Sequence, residues 1–300
     1  MILVFGGNGQ LGRELVRSAH ERSIALTAVP REVADIADRE AVEIALAKFN
    51  ATIVVNAAAY TKVDQAEVDI GVAERENVTG PAILAAACEA FDAPLIHIST
   101  DFVFDGNKNG PYVEGDPVGP LGVYGRTKAA GEEAVRRHAS QHVILRTAWV
   151  YGEFGHNFLK TIIRLGNERD ELRIVADQYG CPTSTRELAN AVLRLSGRFA
   201  ERSVDVGTYH FAGSGVASWY GFAARIVAGQ AARGGRVPKV IPIATSEYPT
   251  KAVRPKNSTF DCTLFHRAFG FRARDWREEV DMITQAVLDN LYIGGPEHAT

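Results

Sequence analysis

Tyr124 and Lys128 stand four residues apart in Val123-Tyr124-Gly125-Arg126-Thr127-Lys128, where a helical spacing begins that runs on through Gly131, Glu132 and Ala134. Residues at this separation share one face of a helix, one above the other. A phenol can hand over a proton, but its ordinary pKa of ~10 is too high for efficient transfer near neutrality. A neighbouring ammonium favours the phenolate, so Tyr124 is expected to titrate below an ordinary tyrosine. The pair is a candidate for general acid catalysis. Tyrosine and lysine also meet at this spacing on ordinary helices, so the elements that place them have to supply the meaning.

Ile2–Phe5 is a short apolar run suited to a buried parallel strand, and it leads directly into Gly6-Gly7-Asn8-Gly9-Gln10-Leu11-Gly12 and a helical pattern through Leu15 and Ala19. Gly6, Gly9 and Gly12 give the spacing G-x-x-G-x-x-G. Glycines there let the chain turn tightly and approach a pyrophosphate, which then sits on the amides of the helix N-terminus. Strand, glycines and helix together point to a bound dinucleotide. Residues 25–29 read as the second strand, which ends in Pro30-Arg31-Glu32 without an immediate acid for a ribose diol. Arg31 is therefore expected to meet a 2′-phosphate, making NADPH the preferred cofactor; Glu32 leaves NADH open.

A helix over 39–49 leads to a strand over 52–55, then the small residues Asn56-Ala57-Ala58-Ala59. A helical region extends past Asn77 to Phe91, with Pro81 expected to mark a restart or kink. The fourth strand, 95–99, delivers Thr100 and Asp101 at its carboxyl end, where ligands of open α/β sheets lie. His97 in that strand reads as a satisfied core residue. The glycine- and proline-rich stretch 104–123 reads as one wall of a site, and 143–147 as a fifth strand. Strands and helices in alternation describe a Rossmann-like doubly wound parallel sheet. Beyond it the pattern is weaker: helices over 157–169 and 187–195, a returning strand over 209–212, and a loose tail over 294–300. Trp219 reads as packing between domains. Arg254 is either a guanidinium for a nucleotide phosphate or a surface ion pair.

Three hundred residues with a net charge of −3 show no basic excess to attract nucleic acid or an anionic membrane. No apolar run approaches the ~18 residues of a membrane span, and no secretory leader precedes the first glycines. Cys88, Cys181 and Cys262 are odd in number and widely spaced, which fits the reducing cytoplasm and no structural zinc.

Several stretches carry a family resemblance. The glycine turn, Asn56-Ala57-Ala58-Ala59, Ser99-Thr100-Asp101 and Tyr124-x-x-x-Lys128 resemble the extended short-chain dehydrogenase/reductase superfamily. Tyr60-Thr61-Lys62-Val63-Asp64-Gln65-Ala66-Glu67, Arg146-Thr147-Ala148-Trp149-Val150-Tyr151-Gly152, Asp177-Gln178-Tyr179-Gly180-Cys181-Pro182-Thr183 and Arg254-Pro255-Lys256-Asn257-Ser258 resemble, within it, the dTDP-4-dehydrorhamnose reductase family. That resemblance implies NAD(P)H-dependent reduction of the C4 ketone of a dTDP-linked 4-keto-6-deoxyhexose, giving dTDP-L-rhamnose. It implies a catalytic trio of Thr100, Tyr124 and Lys128. Cofactor contacts fall on Gly9, Gln10, Leu11, Asp35, Ile36, Ala59, Tyr60, Thr61 and Ile98, with Tyr124 and Lys128 shared; sugar-nucleotide contacts fall on Thr100, Asp101 and Trp149. It also implies a smaller C-terminal α/β substrate domain, so that 1–150 with 186–214 bind the dinucleotide and 151–185 with 215–300 the sugar nucleotide. The chain is expected to be a monomer or homodimer. Some members join subunits through carboxylates around Mg²⁺; Glu14 and Glu187 stand at matching positions, no third acid aligns, and the favoured reading is exposed helix carboxylates. The alternatives are another nucleotide-sugar 4-ketoreductase, an epimerase, or a non-catalytic NADP-binding regulatory subunit. A 4,6-dehydratase is disfavoured because Phe102 follows Asp101 where that chemistry needs an acid.

Overall fold

A computed structural model describes residues 1–201 and 204–293; the tail expected over 294–300 lies outside the described residues. In chain order the first half holds β1 Ile2–Phe5, α1 Gln10–Glu21, β2 Leu26–Val29, α2 Arg39–Lys48, β3 Ile53–Asn56, α3 Val63–Ala66, α4 Ile70–Glu74, α5 Gly80–Ala90, β4 Leu95–Thr100, α6 Val123–His138 and β5 His142–Thr147. The second half holds β6 Val150–Tyr151, α7 Phe158–Glu168, β7 Glu171–Val175, β8 Tyr179–Gly180, β9 Thr183–Ser184, α8 Thr185–Ala200, β10 Gly207–His210, β11 Ala217–Ser218, α9 Trp219–Ala231, β12 Lys239–Ile243, α10 Thr263–Phe269 and α11 Trp276–Ile293.

The main sheet is parallel throughout, in the order β10-β5-β4-β3-β1-β2. This is the Rossmann-like doubly wound arrangement expected from the sequence. Its central strands are buried along their length because helices cover both faces. Side chains alternate between those faces: Ile2 and Val4 join Leu15, Leu188 and Val192 under α1 and α8, while Leu3 and Phe5 join Val42, Leu84 and Val135 under α2, α5 and α6. The chain leaves β1 toward β2 on one side and continues from β3 on the other. The crevice between the carboxyl ends of β1 and β3 is the place where ligands of such sheets lie.

Around Pro81 the structure differs from a simple kink. Helix runs without interruption from Ile70 to Ala90 through a π-turn at Arg75–Thr79, where Gly80 N–H already reaches back five residues to the Arg75 carbonyl. Pro81 has no N–H to give to Asn77, and it enters after the turn has shifted the hydrogen-bond ladder by one residue. No bond is lost. A third core gathers Tyr151 of β6 with Leu159, Ile162, Phe222, Ile226, Trp276, Val280 and Ile283 from α7, α9 and α11, beside the small parallel pair β7–β12. Phe265, Phe269 and Ala273, by contrast, return to the core of the main sheet.

Candidate active site

The glycine turn is set by backbone approaches that no side chain would permit. Gly6 has φ +89°, and a Cβ there would lie 2.7 Å from Ala58 N and 2.8 Å from the Ala57 carbonyl. A Cβ on Gly12 would lie 2.4 Å from Gly6 O. Gly9 caps α1 in an extended conformation without a side-chain bond, so the first amides of the helix have no protein partner along the chain. They face a cleft of about 640 Å³ lined by Gly9, Gln10, Leu11, Ala59, Thr61, Ile98, Tyr124 and Lys128. A second hollow of about 220 Å³ continues past the turn, sharing Asn8, Gly9 and Ala57–Ala59, and is lined at its far end by Gly6, Arg31, Asp35 and Ile36. This length, with bare amides at its middle, fits a dinucleotide whose pyrophosphate rests on α1. Tyr60 and Gly12 line neither space. Tyr60 turns its hydroxyl to Asp69 at 2.8 Å, and Gly12 serves the packing of α1 on the turn.

Thr100 and Asp101 stand at the end of β4, opposite the first turn of α6. That helix reaches the strand end because Gly125 lacks a Cβ, which would lie 2.1 Å from Phe102 O. Glu67 accepts the Val123 N–H at 2.7 Å and starts the helix there. Tyr124 packs edge-on against Phe102 at 5.5 Å, and Lys128 donates to the Ile98 carbonyl at 2.7 Å. Thr100 donates to Asp101 Oδ1 at 3.0 Å, while Asp101 Oδ2 and Thr147 Oγ1, both lining the cleft, have no hydrogen-bond partner.

Burial decides the protonation states, and it overturns the expectation for Tyr124. Loss of water pushes its phenol up to about 12, with Thr100's hydroxyl opposing and Asp101's charge adding to the rise. Burial also lowers Lys128 to about 8, against the attraction of Glu132. Desolvation penalises both charged forms at once, and here it outweighs any pull of the ammonium on the phenol. Asp101 rises to about 6, again from burial. His97 is fully buried as expected, yet only Nδ1 has a partner, Asn56 at 3.1 Å; Nε2 has none.

Behind the cleft, Glu132 accepts from Ser99 at 2.6 Å and from Arg146 at 2.9 and 2.7 Å, all three side chains being buried. The pair ties α6 to β4 and β5 at the level of Thr100. On the other wall Trp149 has φ +48° and stacks on Trp219 at 3.6 Å, nearly parallel. Gly180 makes room, since a Cβ would lie 2.4 Å from the Trp149 ring. Trp219 is thus a stacking partner within the cleft wall, beyond the packing role expected of it. Arg254 lines the cleft too and is paired with Asp64 at 2.6 and 3.1 Å. A further hollow of about 380 Å³ beyond Trp219 carries Arg169, Arg173, Gln178 and Tyr248.

Glu14 and Glu187 are not exposed. Glu14 is taken by Arg17 at 2.6 Å and Thr185 at 3.3 Å, Glu187 by Asn190 at 3.2 Å and the Arg274 N–H at 3.0 Å. Their oxygens are already satisfied by protein donors, which does not fit a metal ion between them. Among the described residues no group of three or more His, Cys, Asp or Glu side chains is arranged to hold a metal. Nor, among those residues, is any helix long and apolar enough to cross a membrane.

Residues 1–288 match the RmlD substrate binding domain family. A dTDP-4-dehydrorhamnose reductase of Sinorhizobium fredii is 41% identical over 96% of this chain and 97% of its own length. The chain belongs to the dTDP-4-dehydrorhamnose reductase family. Two solved structures of the family agree with the fold described above. A reductase from Clostridium acetobutylicum superposes with a TM-score of 0.89 at 37% identity, over 96% of this chain and 99% of that one. A reductase from Bacillus anthracis in complex with NADP superposes with a TM-score of 0.87 at 34% identity, over 95% and 98%.

Sequence reading missed three residues that hold the surroundings of the cleft in place. Glu67 starts α6. Asn77 donates to Tyr60 O at 3.1 Å and Thr127 at 3.1 Å and accepts the Tyr60 N–H at 2.9 Å, fixing the turn after β3 against α6. Arg75, beside it in the π-turn, reaches Asp35 at 2.8 Å. The only signal for the last two was Pro81 inside a helical pattern, which marks a disturbed ladder without saying what it carries.

Proposed function

We propose that this chain reduces the C4 ketone of dTDP-4-dehydro-L-rhamnose to the alcohol of dTDP-L-rhamnose with NADPH, using Tyr124 as proton donor. The observation that carries the reading is the burial of Tyr124 and Lys128 in one cleft with Thr100 and the glycine turn. The reduced nicotinamide, when bound, supplies the hydride. Negative charge then grows on the ketone oxygen, and Tyr124, neutral far above physiological pH, gives it a proton. An alkoxide is a much stronger base than a phenolate, so a phenol at about 12 still donates downhill. Thr100 turns its hydroxyl to the same oxygen. Lys128 keeps one proton on the Ile98 carbonyl, offers others to the ribose, and its charge steadies the phenolate that Tyr124 becomes.

For the substrate, Asp101 and Trp149 take the sugar, Arg254 leaves Asp64 for the diphosphate, and the nucleoside extends toward Arg169 and Arg173. Arg31 at the far end of the cofactor groove supports NADPH, as does the NADP held by the Bacillus anthracis relative. We also assign 1–150 with 186–214 to the cofactor and 151–185 with 215–300 to the sugar nucleotide, with Phe265, Phe269 and Ala273 of the latter packed in the core of the main sheet. All three cysteines are free, in keeping with the cytoplasm. The test is cofactor oxidation against a panel of 4-keto-6-deoxyhexoses linked to dTDP, UDP or GDP. Oxidation that needs the dTDP sugar supports the proposal. Equal rates across bases, or none with any sugar, contradict it.

A further inference from the structure

Four charged side chains form a closed ring at the mouth of the hollow beyond the glycine turn. Glu76 Oε1 accepts from Arg31 Nη2 at 2.5 Å and from Arg75 Nη1 at 3.0 Å. Asp35 Oδ2 accepts from Arg31 Nε at 3.3 Å and from Arg75 Nη2 at 2.8 Å. The other Asp35 oxygen is held by the Ala37 N–H at 2.9 Å. Glu32, the third acid on this rim, faces Asn8 at 3.5 Å. Two guanidiniums from separate elements therefore converge on a single carboxylate oxygen, Asp35 Oδ2; Asp35, Arg31 and Glu76 line the hollow, and Arg75 joins them from behind through Asp35 and Glu76.

Arg31 arrives from the loop after β2, Arg75 from the π-turn. One extra residue in a helical turn rotates the segments on either side by about 100° relative to each other. The turn opens at Arg75, and it sets this side chain beside the end of β2 while Asn77, two residues on, faces Tyr60 and Thr127.

We infer that Arg75 is a second cofactor-specificity residue, receiving the 2′-phosphate of NADPH together with Arg31 at the position Asp35 Oδ2 occupies between them. The inference rests on the NADPH reading given above. A phosphate presents several oxygens to two planar forks, whereas a carboxylate satisfies each fork with one. Arg31 and Arg75 are about half exposed, and ion pairs of that kind are weakly held, so exchanging Asp35 for a phosphate disturbs little. Asp35 keeps its bond from Ala37 and the loop keeps its shape. Glu76, nearly buried, holds both guanidiniums in place throughout.

The test is calorimetric titration of adenosine 2′,5′-bisphosphate and of ADP into the wild type, Arg75→Ala, Arg75→Lys and Arg31→Ala, with kcat/KM for NADPH and NADH alongside. Loss of one charged hydrogen-bonding group should weaken the bisphosphate about tenfold or more. In Arg75→Ala the ratio of bisphosphate to ADP affinity should fall by that factor, and Arg75→Lys, which keeps the charge without the fork, should fall between. If Arg31→Ala lowers the ratio and Arg75→Ala does not, the inference fails while the NADPH reading stands. If Arg75→Ala weakens both ligands alike, its role is structural and the inference also fails. If the wild type binds ADP as tightly as the bisphosphate and favours NADH, the NADPH reading fails first and takes the inference with it.

Discussion

The two ends of the cofactor groove handle charge in opposite ways. At the end beside α6, where we propose the nicotinamide binds, Tyr124, Lys128 and Asp101 are buried, and removal of water moves all three toward their neutral forms. At the end beside β2, Arg31 and Arg75 pair with Asp35 and Glu76 in a ring whose two guanidiniums are about half exposed. Proton transfer needs groups whose charge is costly, so that charge appears only during the reaction. Recognition of a phosphate needs charges already present and easily redirected. One groove serves both because the glycine turn separates a closed half from an open half.

The largest effect expected from breaking this contrast lies at the closed end. Tyr124→Phe should cut turnover by on the order of 10²–10⁴-fold while cofactor affinity, measured by fluorescence titration, stays within a few-fold. Next comes the buried pair behind it. Glu132→Ala leaves Arg146 without its partner and should lower stability by about 3–5 kcal/mol in denaturant unfolding. A loss below ~1 kcal/mol would mean that water reaches this pair.

The pH dependence follows from the same burial. Lys128, lowered from 10.5 to about 8, is charged below that value and neutral above it. Turnover should therefore decline as pH rises through about 8, and Lys128→Met should remove this limb along with much of the rate. In stability the sign reverses: the cost of burying the ammonium is present in full below about 8 and fades between 8 and 10.5. Asp101, raised from 3.8 to about 6, costs nothing below 3.8 and its full penalty above 6. The smallest effect is at the open end. Arg31→Ala should change unfolding stability by no more than ~1 kcal/mol, since its own guanidinium is more than half exposed and Arg75 still pairs with both acids. A larger loss would mark the ring as structural.

Sequence legibility divides along related lines. The glycine turn, the strands of the main sheet and the trio Thr100, Tyr124 and Lys128 were readable because local constraints fix them: backbone approach, continuous apolar runs and helical spacing. The π-turn was not, since its effect lies in which way Arg75 and Asn77 point. The direction of Tyr124's shift was missed for a different reason. Spacing reveals a neighbouring charge, but burial is a property of the packed structure. The second half resisted because β6, β8, β9 and β11 have two residues each, too few for any period. Its contacts are also remote in sequence: Arg254 meets Asp64 across 190 residues.

The most direct test follows NADPH consumption and sugar product together, with dTDP-4-dehydro-L-rhamnose as substrate, in the wild type and in Tyr124→Phe. The expected result is one alcohol formed per cofactor oxidised, no oxidation without the sugar nucleotide, and near-complete loss in the variant with its fold intact. A Tyr124→Phe protein that keeps a near-normal rate, or oxidation without reduced sugar, would contradict the account.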